Sequence, residues 1–319
     1  MDSQDTQAPQ DQTPVSVSSH LTFLEQHGIS PVLFGIVVLI LIVLLYQGVA
    51  GLITILLFGT KPTEATIGGI RIAQGIGQVL FMLLPTLLLV RLVTKTPGDF
   101  LKLTVPKPLV VILPLIGIAS LQQVLQIYLV FQEQIPIPES LQEKLQPFKE
   151  LIEEVTRLLV SSHTVPELLF VMFIVAVIPA TAEEFLFRGL IQRSFEKGMT
   201  PAMSALLSGV IFGLYHLNPF SAIPLIVLGL YLSFLALRAN NLLVSVAGHF
   251  FNNAIACIAV YFHVDDDSII TGNPNAMSTT ELLGTCALFL LIFIGATYLF
   301  VRATVGEQPA ADSSSEMPV

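Results

Sequence analysis

The chain has 319 residues, of which 53% are hydrophobic and 12% are charged, and its formal net charge is −9. A soluble globular domain carries about 25% charged residues, so this composition excludes an ordinary soluble enzyme and indicates a membrane protein. The negative charge also argues against nucleic acid as a partner. We therefore predict an all-α fold, a polytopic bundle of about eight membrane helices.

The first 30 residues form a polar segment. They are rich in Gln, Asp, Ser, Thr and Pro, and they contain no Lys or Arg. Such a composition buries too little apolar surface to offset the entropy lost on ordering, so we predict a disordered tail over residues 1–30. A signal peptide would place basic residues before a short apolar core, and this pattern is absent there.

Eight apolar runs follow, and each approaches the roughly 20 residues that a helix needs to span a bilayer. Three residues separate the fifth run from the sixth, which predicts a tight helical hairpin. We divide the chain into N-terminal membrane helices at 31–137, a membrane core at 165–262, a polar loop with the last helix at 263–302, and a second disordered tail at 303–319. The runs cover residues 32–58, 71–94, 108–131, 165–187, 201–217, 221–238, 242–262 and 279–302.

Residues 138–160 carry a different, amphipathic pattern. Apolar residues recur there at steps of three and four, and charged residues occupy the other face, which predicts a helix. This helix could lie along the membrane surface with a break at Pro147, or it could pack across the mouth of the bundle. The apolar positions are Leu141, Leu145, Phe148, Ile152, Val155 and Leu159.

Basic residues in the connections predict the orientation, because cytoplasmic loops carry an excess of Lys and Arg. We therefore predict a multi-pass membrane protein in contact with membrane lipid and with both termini cytoplasmic. The membrane that we expect is a bacterial cytoplasmic membrane. Lys61, Arg71 and the acidic run Asp265–Asp267 then face the other side. The basic residues that fall inside are Arg91, Lys95, Lys102, Lys107, Arg193, Lys197, Arg238 and Arg302.

The fourth apolar run contains Glu183 and Glu184, and Arg188 directly follows its predicted end. A charged residue inside a membrane costs roughly 2.5–3.5 kcal/mol on insertion scales, so an intramembrane charge is a functional hypothesis. Glu184 and Arg188 are four residues apart and can pair on one helical face. Glu183 points about 100° away and is free to face a cavity.

Later apolar runs supply polar partners at a compatible depth. His216 ends the fifth run, and His249 and Asn253 lie four residues apart in the seventh. At a rise of 1.5 Å per residue, Glu183, His216 and His249 lie about 21, 24 and 17 Å from the predicted cytoplasmic ends of their helices. The three side chains could therefore lie at a similar depth in the membrane. Each residue alone could equally be a structural hydrogen-bonding group, and the combination is what points to a site.

A carboxylate beside two histidines and an asparagine suits the hydrolysis of an amide bond. The carboxylate can remove a proton from water. The histidines can hold that water, ligate a metal that holds it, or donate to an oxyanion, and the asparagine amide can donate to the same oxyanion. His-Glu-x-x-His, Gly-x-Ser-x-Gly and Walker-type motifs are absent from the sequence.

Three motifs formed by these residues resemble those of a known family, the CaaX prenyl endopeptidase and bacteriocin-processing proteins, also called CPBP or Abi. Its pattern is Glu-Glu-x-x-x-Arg, then Phe-x-x-x-His, then His-x-x-x-Asn. The resemblance covers roughly residues 165–262, and the N-terminal half is similar only in being hydrophobic and helical. The matching stretches are Glu183-Glu184-Phe-Leu-Phe-Arg188, Phe212-Gly-Leu-Tyr-His216 and His249-Phe-Phe-Asn252-Asn253.

The resemblance implies an intramembrane endopeptidase. Its substrate would be a membrane-associated peptide or protein, prenylated or otherwise membrane-anchored. By the same resemblance, Glu183 would activate the attacking water and His216 would help to hold it, while His249 and Asn253 would stabilise the oxyanion.

Glu184 and Arg188 would support this site. The resemblance leaves the cofactor unknown. Glu183, His216 and His249 could ligate zinc, or the same residues could act without a metal.

Two other classes of function stay open. A non-catalytic membrane scaffold or immunity protein would keep the fold and bind a peptide, and its binding would survive Glu183→Ala. A transporter would use glutamate and histidine as a proton relay, yet we find no internal repeat or pair of broken helices that favours it.

Overall fold

The chain is built from helices. The computed structural model describes residues 21–262 and 277–305, and this part of the chain contains no strand. The predicted all-α membrane bundle is confirmed. Along the described residues the helices are α1 (Phe23–Gln26), α2 (Pro31–Phe58), α3 (Glu64–Val93), α4 (Pro97–Leu101), α5 (Pro108–Glu133), α6 (Glu139–Val160), α7 (Val165–Glu196), α8 (Pro201–Tyr215), α9 (Ala222–Ala239), α10 (Leu242–Tyr261) and α11 (Thr279–Ala303).

Within the described ranges, seven helices are long and apolar enough to cross a membrane: α2, α3, α5, α7, α9, α10 and α11. The remaining predicted span, the fifth run, corresponds to α8, which is apolar but has only 15 residues. At 1.5 Å per residue it is about 22 Å long, less than the roughly 30 Å of a hydrocarbon core. We therefore expect α8 to end within the thickness of the bilayer, and the residue after its end is His216.

Helix α7 lies at the centre of the larger apolar core. Its side chains pack with those of α2, α3 and α8, and a second core joins α5, α9, α10 and α11. A helix that is apolar on all sides is expected at such a central position. Glu183, Glu184 and Arg188 of α7 are therefore enclosed by neighbouring helices. Its fully buried apolar side chains include Leu186, Phe187, Leu190 and Ile191.

Helices α8 and α9 form the tight hairpin that the short polar connection predicts. Leu217 adopts a left-handed backbone conformation with φ of 52°. The Oδ1 atom of Asn218 accepts the backbone N–H groups of Phe220 and Ser221 at 3.1 and 3.3 Å. An asparagine side chain that bonds to the backbone two residues later is a common turn device.

Gly209 sets the close approach of α8 and α9. A Cβ atom added there would lie 2.7 Å from the Cα of Leu230, where backbone rather than a flexible side chain would have to move. We expect Gly209→Ala to lower the free energy of unfolding by about 1–3 kcal/mol, measured by denaturation in mixed micelles. Gly284→Ala is the control, because nothing lies within 4 Å of its added Cβ. Equal losses in the two variants would contradict this packing.

The amphipathic helix α6 runs without interruption through Pro147, so the predicted break does not occur. The helix has no buried residue, so a carbonyl freed by the proline can face its surroundings. Its contacts favour packing across the bundle mouth: the ring of Phe148 lies 6.0 Å from that of Phe220 at the hairpin tip. Lys149 Nζ donates to Glu133 Oε1 at 2.6 Å, and this hydrogen bond raises the pKa of Lys149.

The predicted polar tail at 1–30 extends too far. Residues 1–20 lie outside the described residues, but residues 21–30 include α1. A capping box of Thr22 and Glu25 closes its first turn, and the side chain of Leu24 is buried in the larger core. Leu24 and Ile29 therefore hold the chain against the core before α2 begins. The acidic run Asp265–Asp267 and nearly all of the predicted C-terminal tail also lie outside the described residues.

Candidate active site

Helix α7 carries the paired glutamates in a short α-helical stretch, Ile178–Glu184. π-helical segments lie on both sides of it, Phe173–Val177 and Phe185–Gln192. Such segments are rare and often occur at functional sites. Glu183, Glu184 and Arg188 are all buried, so each needs partners to offset the loss of hydration.

The guanidinium group of Arg188 has three hydrogen-bond partners and one aromatic contact. Its Nη1 atom donates to Glu184 Oε1 at 2.6 Å, and its Nη2 atom donates to the carbonyl of Gly229 at 2.7 Å. The Nε atom donates to Ser233 Oγ at 3.3 Å, and the guanidinium lies 4.4 Å from the centre of the Phe212 ring. The predicted i, i+4 pairing of Glu184 and Arg188 is thus present. The other two hydrogen bonds of Arg188 join α7 to α9.

His249 connects this ion pair to Glu183. Its Nδ1 atom lies 2.9 Å from Glu184 Oε1, the oxygen that also accepts from Arg188. Its Nε2 atom lies 3.9 Å from Glu183 Oε2. Glu184 therefore orients the imidazole ring so that the other ring nitrogen faces the second glutamate, as orienting carboxylates do in many histidine sites.

His216 approaches the same oxygen from α8. Its Nδ1 atom lies 2.8 Å from the carbonyl oxygen of Phe212, and its Nε2 atom lies 3.8 Å from Glu183 Oε2. A carbonyl can only accept, so Nδ1 carries the hydrogen and a neutral ring presents a lone pair at Nε2. The Phe212 ring packs edge-on against both imidazoles, with its centroid 4.8 Å from that of His216 and 5.6 Å from that of His249, and it forms one wall of the site.

The two carboxylate oxygens of Glu183 have different surroundings. Oε1 accepts a hydrogen bond of 3.1 Å from Gln78 Nε2 on α3. Oε2 is buried and has no hydrogen-bond partner among the described residues. The arrangement leaves one carboxylate oxygen and two imidazole nitrogens facing one another with no fixed donor between them.

Asn253 does not direct its amide into this cluster. Its Nδ2 atom donates to the carbonyl of Val175 at 3.1 Å, and its Oδ1 atom accepts from Asn252 at 3.1 Å. Gln122 of α5 donates to Asn252 Oδ1 of α10 at 2.9 Å, and this bond joins the two helices. The helical spacing places His249 and Asn253 on one face of α10. The amide of Asn253 nevertheless donates to the backbone carbonyl of Val175 and not towards Glu183.

Sequence reasoning missed Gln78. It lies in α3, in the segment 64–78 that also holds several glycines, and its side chain is buried. The high insertion cost that marks charged residues such as Glu183 does not apply to an uncharged amide, so the sequence does not single out Gln78. The available signal was an amide next to Gly75 and Gly77, small residues that let neighbouring helices approach.

The predicted metal ligands are brought together, but not as a metal site. Glu183, His216 and His249 converge with separations of 3.8 and 3.9 Å between the carboxylate oxygen and the two Nε2 atoms. Across residues 21–262 and 277–305, no group of three or more His, Cys, Asp or Glu side chains is arranged to hold a metal ion. The described residues therefore show no formed metal site, and we derive no step through a metal.

The geometry defines a membrane-embedded helical protein that buries a carboxylate beside two imidazoles. Residues 165–255 match the family model of the Rce1-like type II CAAX prenyl endopeptidases. This match confirms the family resemblance drawn from the three motifs and supports a membrane endopeptidase of the CAAX type in general. No curated protein and no solved structure matches the chain.

Proposed function

We propose that the chain is an intramembrane endopeptidase in which Glu183 activates water to hydrolyse a peptide bond. The observation that carries this proposal is Glu183 Oε2, which is buried, lacks a partner in the described structure and faces two imidazole nitrogens. Hydrogen-bond acceptors that face one another need a shared donor, and a water molecule offers two hydrogens. The family match over 165–255 supports the same class of reaction.

The reaction follows from this placement. The water gives one hydrogen to Glu183 Oε2 while its oxygen forms a bond to the carbonyl carbon of the scissile peptide, and the carbonyl electron pair moves to its oxygen. The proton then passes from Glu183 to the peptide nitrogen as the C–N bond breaks. The products are a carboxylic acid and an amine, and Glu183 returns to its starting state, as expected of a general base.

The two histidines take different parts in this proposal. His216, with its Nδ1 hydrogen committed to the carbonyl of Phe212, accepts a hydrogen from the water. His249 is oriented by Glu184 and, when its Nε2 atom carries a proton, can donate to the oxyanion. Because the amide of Asn253 is bonded to Val175, we assign the oxyanion to His249 and assign Asn253 to fixing α10 against α7.

We propose that the substrate is a membrane-associated peptide, prenylated or otherwise anchored, and that it approaches from the side of His216. The side chain of His216 is 29% exposed, against 4% for His249 and 8% for Glu183. Beyond the hairpin tip, a cavity of about 770 Å³ lies between α6, the end of α5 and Phe220. Its wall combines apolar and amide side chains with the charged side chains of Glu133, Lys149 and Glu153, so it offers both apolar and polar contacts to a peptide.

We also propose that both termini face the cytoplasm of a bacterial cell. The proposal rests on the basic residues of the connections. Arg91, Arg193 and Arg238 lie in the last turns of α3, α7 and α9. Lys197 follows α7, and all three helix ends would lie on one side of the membrane. The excess of Lys and Arg in cytoplasmic loops supports this orientation.

We expect the purified protein in liposomes to cleave members of a library of lipidated and unlipidated membrane peptides, and His216→Ala to lower kcat/KM by about 100-fold or more. His163→Ala is the control, because this exposed histidine lies in the link before α7. Each protein is assayed with and without a zinc chelator, and persistence of cleavage supports the metal-free reaction. Binding without cleavage would favour the scaffold, and equal rates in the wild type and His216→Ala would overturn the site.

A further inference from the structure

Gln78 is a buried polar side chain outside the stretch that matches the family model. Its Nε2 atom donates to Glu183 Oε1 at 3.1 Å, across 105 positions of sequence. No other described side chain with a fixed hydrogen donates to this carboxylate within hydrogen-bond distance. The N-terminal helices, which the motifs left without a role, therefore contact the centre of the site.

The chemistry of an amide suits this contact. Gln78 donates to Oε1 and leaves Oε2 facing the two imidazoles. An amide does not titrate, so it cannot return a proton to the carboxylate and compete with water. The nearest guanidinium, that of Arg188, is already bound to Glu184 and to Gly229. A neutral donor can thus hold the rotamer of Glu183 without neutralising its charge.

The backbone around Gln78 is held closely on two sides. A Cβ atom added at Gly77 would lie 3.1 Å from Ala50 Cβ on α2, and one added at Gly75 would lie 3.1 Å from Ile174 Cδ1 on α7. The ring of Tyr46 on α2 would lie 3.5 Å from the Cβ added at Gly77. Helix α3 is therefore packed against both neighbours at the turn that presents the amide.

A π-helical segment begins at the next residue, Val79–Leu83. The π-helical segment Val43–Ala50 of α2 contains Tyr46, and Phe185–Gln192 of α7 follows the paired glutamates. Three helices thus depart from regular α-helix next to the residues that surround Glu183. Such departures commonly mark functional sites, where they redirect particular side chains.

We propose that Gln78 is a positioning residue that orients Glu183, so that Oε2 is the oxygen that takes the proton from water. This inference rests on the proposed function for its catalytic consequence. The contact itself is a property of the resting protein. The N-terminal helices therefore complete the active site rather than only anchoring it.

The first test needs no substrate. Infrared bands of the Glu183 carboxylate, assigned by subtracting the spectrum of Glu183→Gln in each background, report hydrogen bonding to its oxygens. We expect the bands to shift in Gln78→Met, which keeps the length of the side chain and removes the donor. Gln78→Asn keeps an amide but shortens its reach, and it should shift them as well. Gln122→Met is the control, because it removes a glutamine that bonds to Asn252 instead.

The second test is kinetic, on reconstituted protein of each variant. We expect Gln78→Met to lower kcat about 10-fold or more, since a hydrogen bond to a charged group is lost, while KM changes less than about 3-fold. Unshifted bands in both Gln78 variants, or an unchanged kcat, would overturn the inference. If the wild type cleaves nothing while the bands shift, the proposed function fails and the contact stands.

Discussion

Glu183→Gln is expected to lower kcat/KM for peptide cleavage by about 100-fold to 10,000-fold, the range that a general base contributes. Glutamine has nearly the same shape and still offers an acceptor to Gln78, but it cannot take a proton from water. The fold should be retained, because the substitution removes a buried charge whose Oε2 atom lacks a partner in the described structure. The measurement is initial-rate cleavage in liposomes, with thermal unfolding of the same samples.

Glu196→Gln is the matched control for this prediction. It is the same substitution on the same helix, at a glutamate that pairs with Arg193 at the end of α7. We expect its kcat/KM to stay within about 2-fold of wild type, as is usual for substitutions away from a site. Retention of a tenth or more of wild-type activity in Glu183→Gln would argue that another group activates the water. Unimpaired peptide binding by this variant would separate binding from catalysis.

Arg188→Met is expected to lower the free energy of unfolding by about 3–5 kcal/mol, because it leaves the Glu184 carboxylate buried without its cation. Both side chains of this pair are fully buried. The variant also loses the bonds from Arg188 to the Gly229 carbonyl and to Ser233, which join α7 to α9. Equilibrium unfolding in mixed micelles measures the loss.

Arg193→Met serves as the control on the same helix. The side chains of Arg193 and Glu196 are 11% and 17% exposed, whereas those of Arg188 and Glu184 are 0% exposed, so we expect a smaller loss from Arg193→Met. The double variant Arg188→Met with Glu184→Gln removes both charges and should recover much of the stability. It should not recover cleavage, because His249 then faces no charged partner at Nδ1. Equal losses in Arg188→Met and Arg193→Met would refute this account of the pair.

The membrane class, most of the spans and one side-chain pairing could be predicted from the sequence. Long apolar runs have few alternatives to membrane helices, because the backbone must satisfy its own hydrogen bonds in lipid. Glu184 and Arg188 pair as expected, because a spacing of four residues brings side chains together within one helix. Helix starts were less certain: α3 begins at Glu64 rather than at residue 71, because a capping box at Thr63 starts it in polar sequence.

Only the tertiary structure decided which polar groups meet. Gln78 reaches Glu183 from a helix that no motif marked, and Asn253 turns its amide to Val175 although it shares a helical face with His249. The rotation and depth of each helix depend on side-chain packing at close approaches such as Gly75 and Gly77. Local spacing cannot encode such distant contacts, because it fixes directions within one helix and not the position of one helix against another.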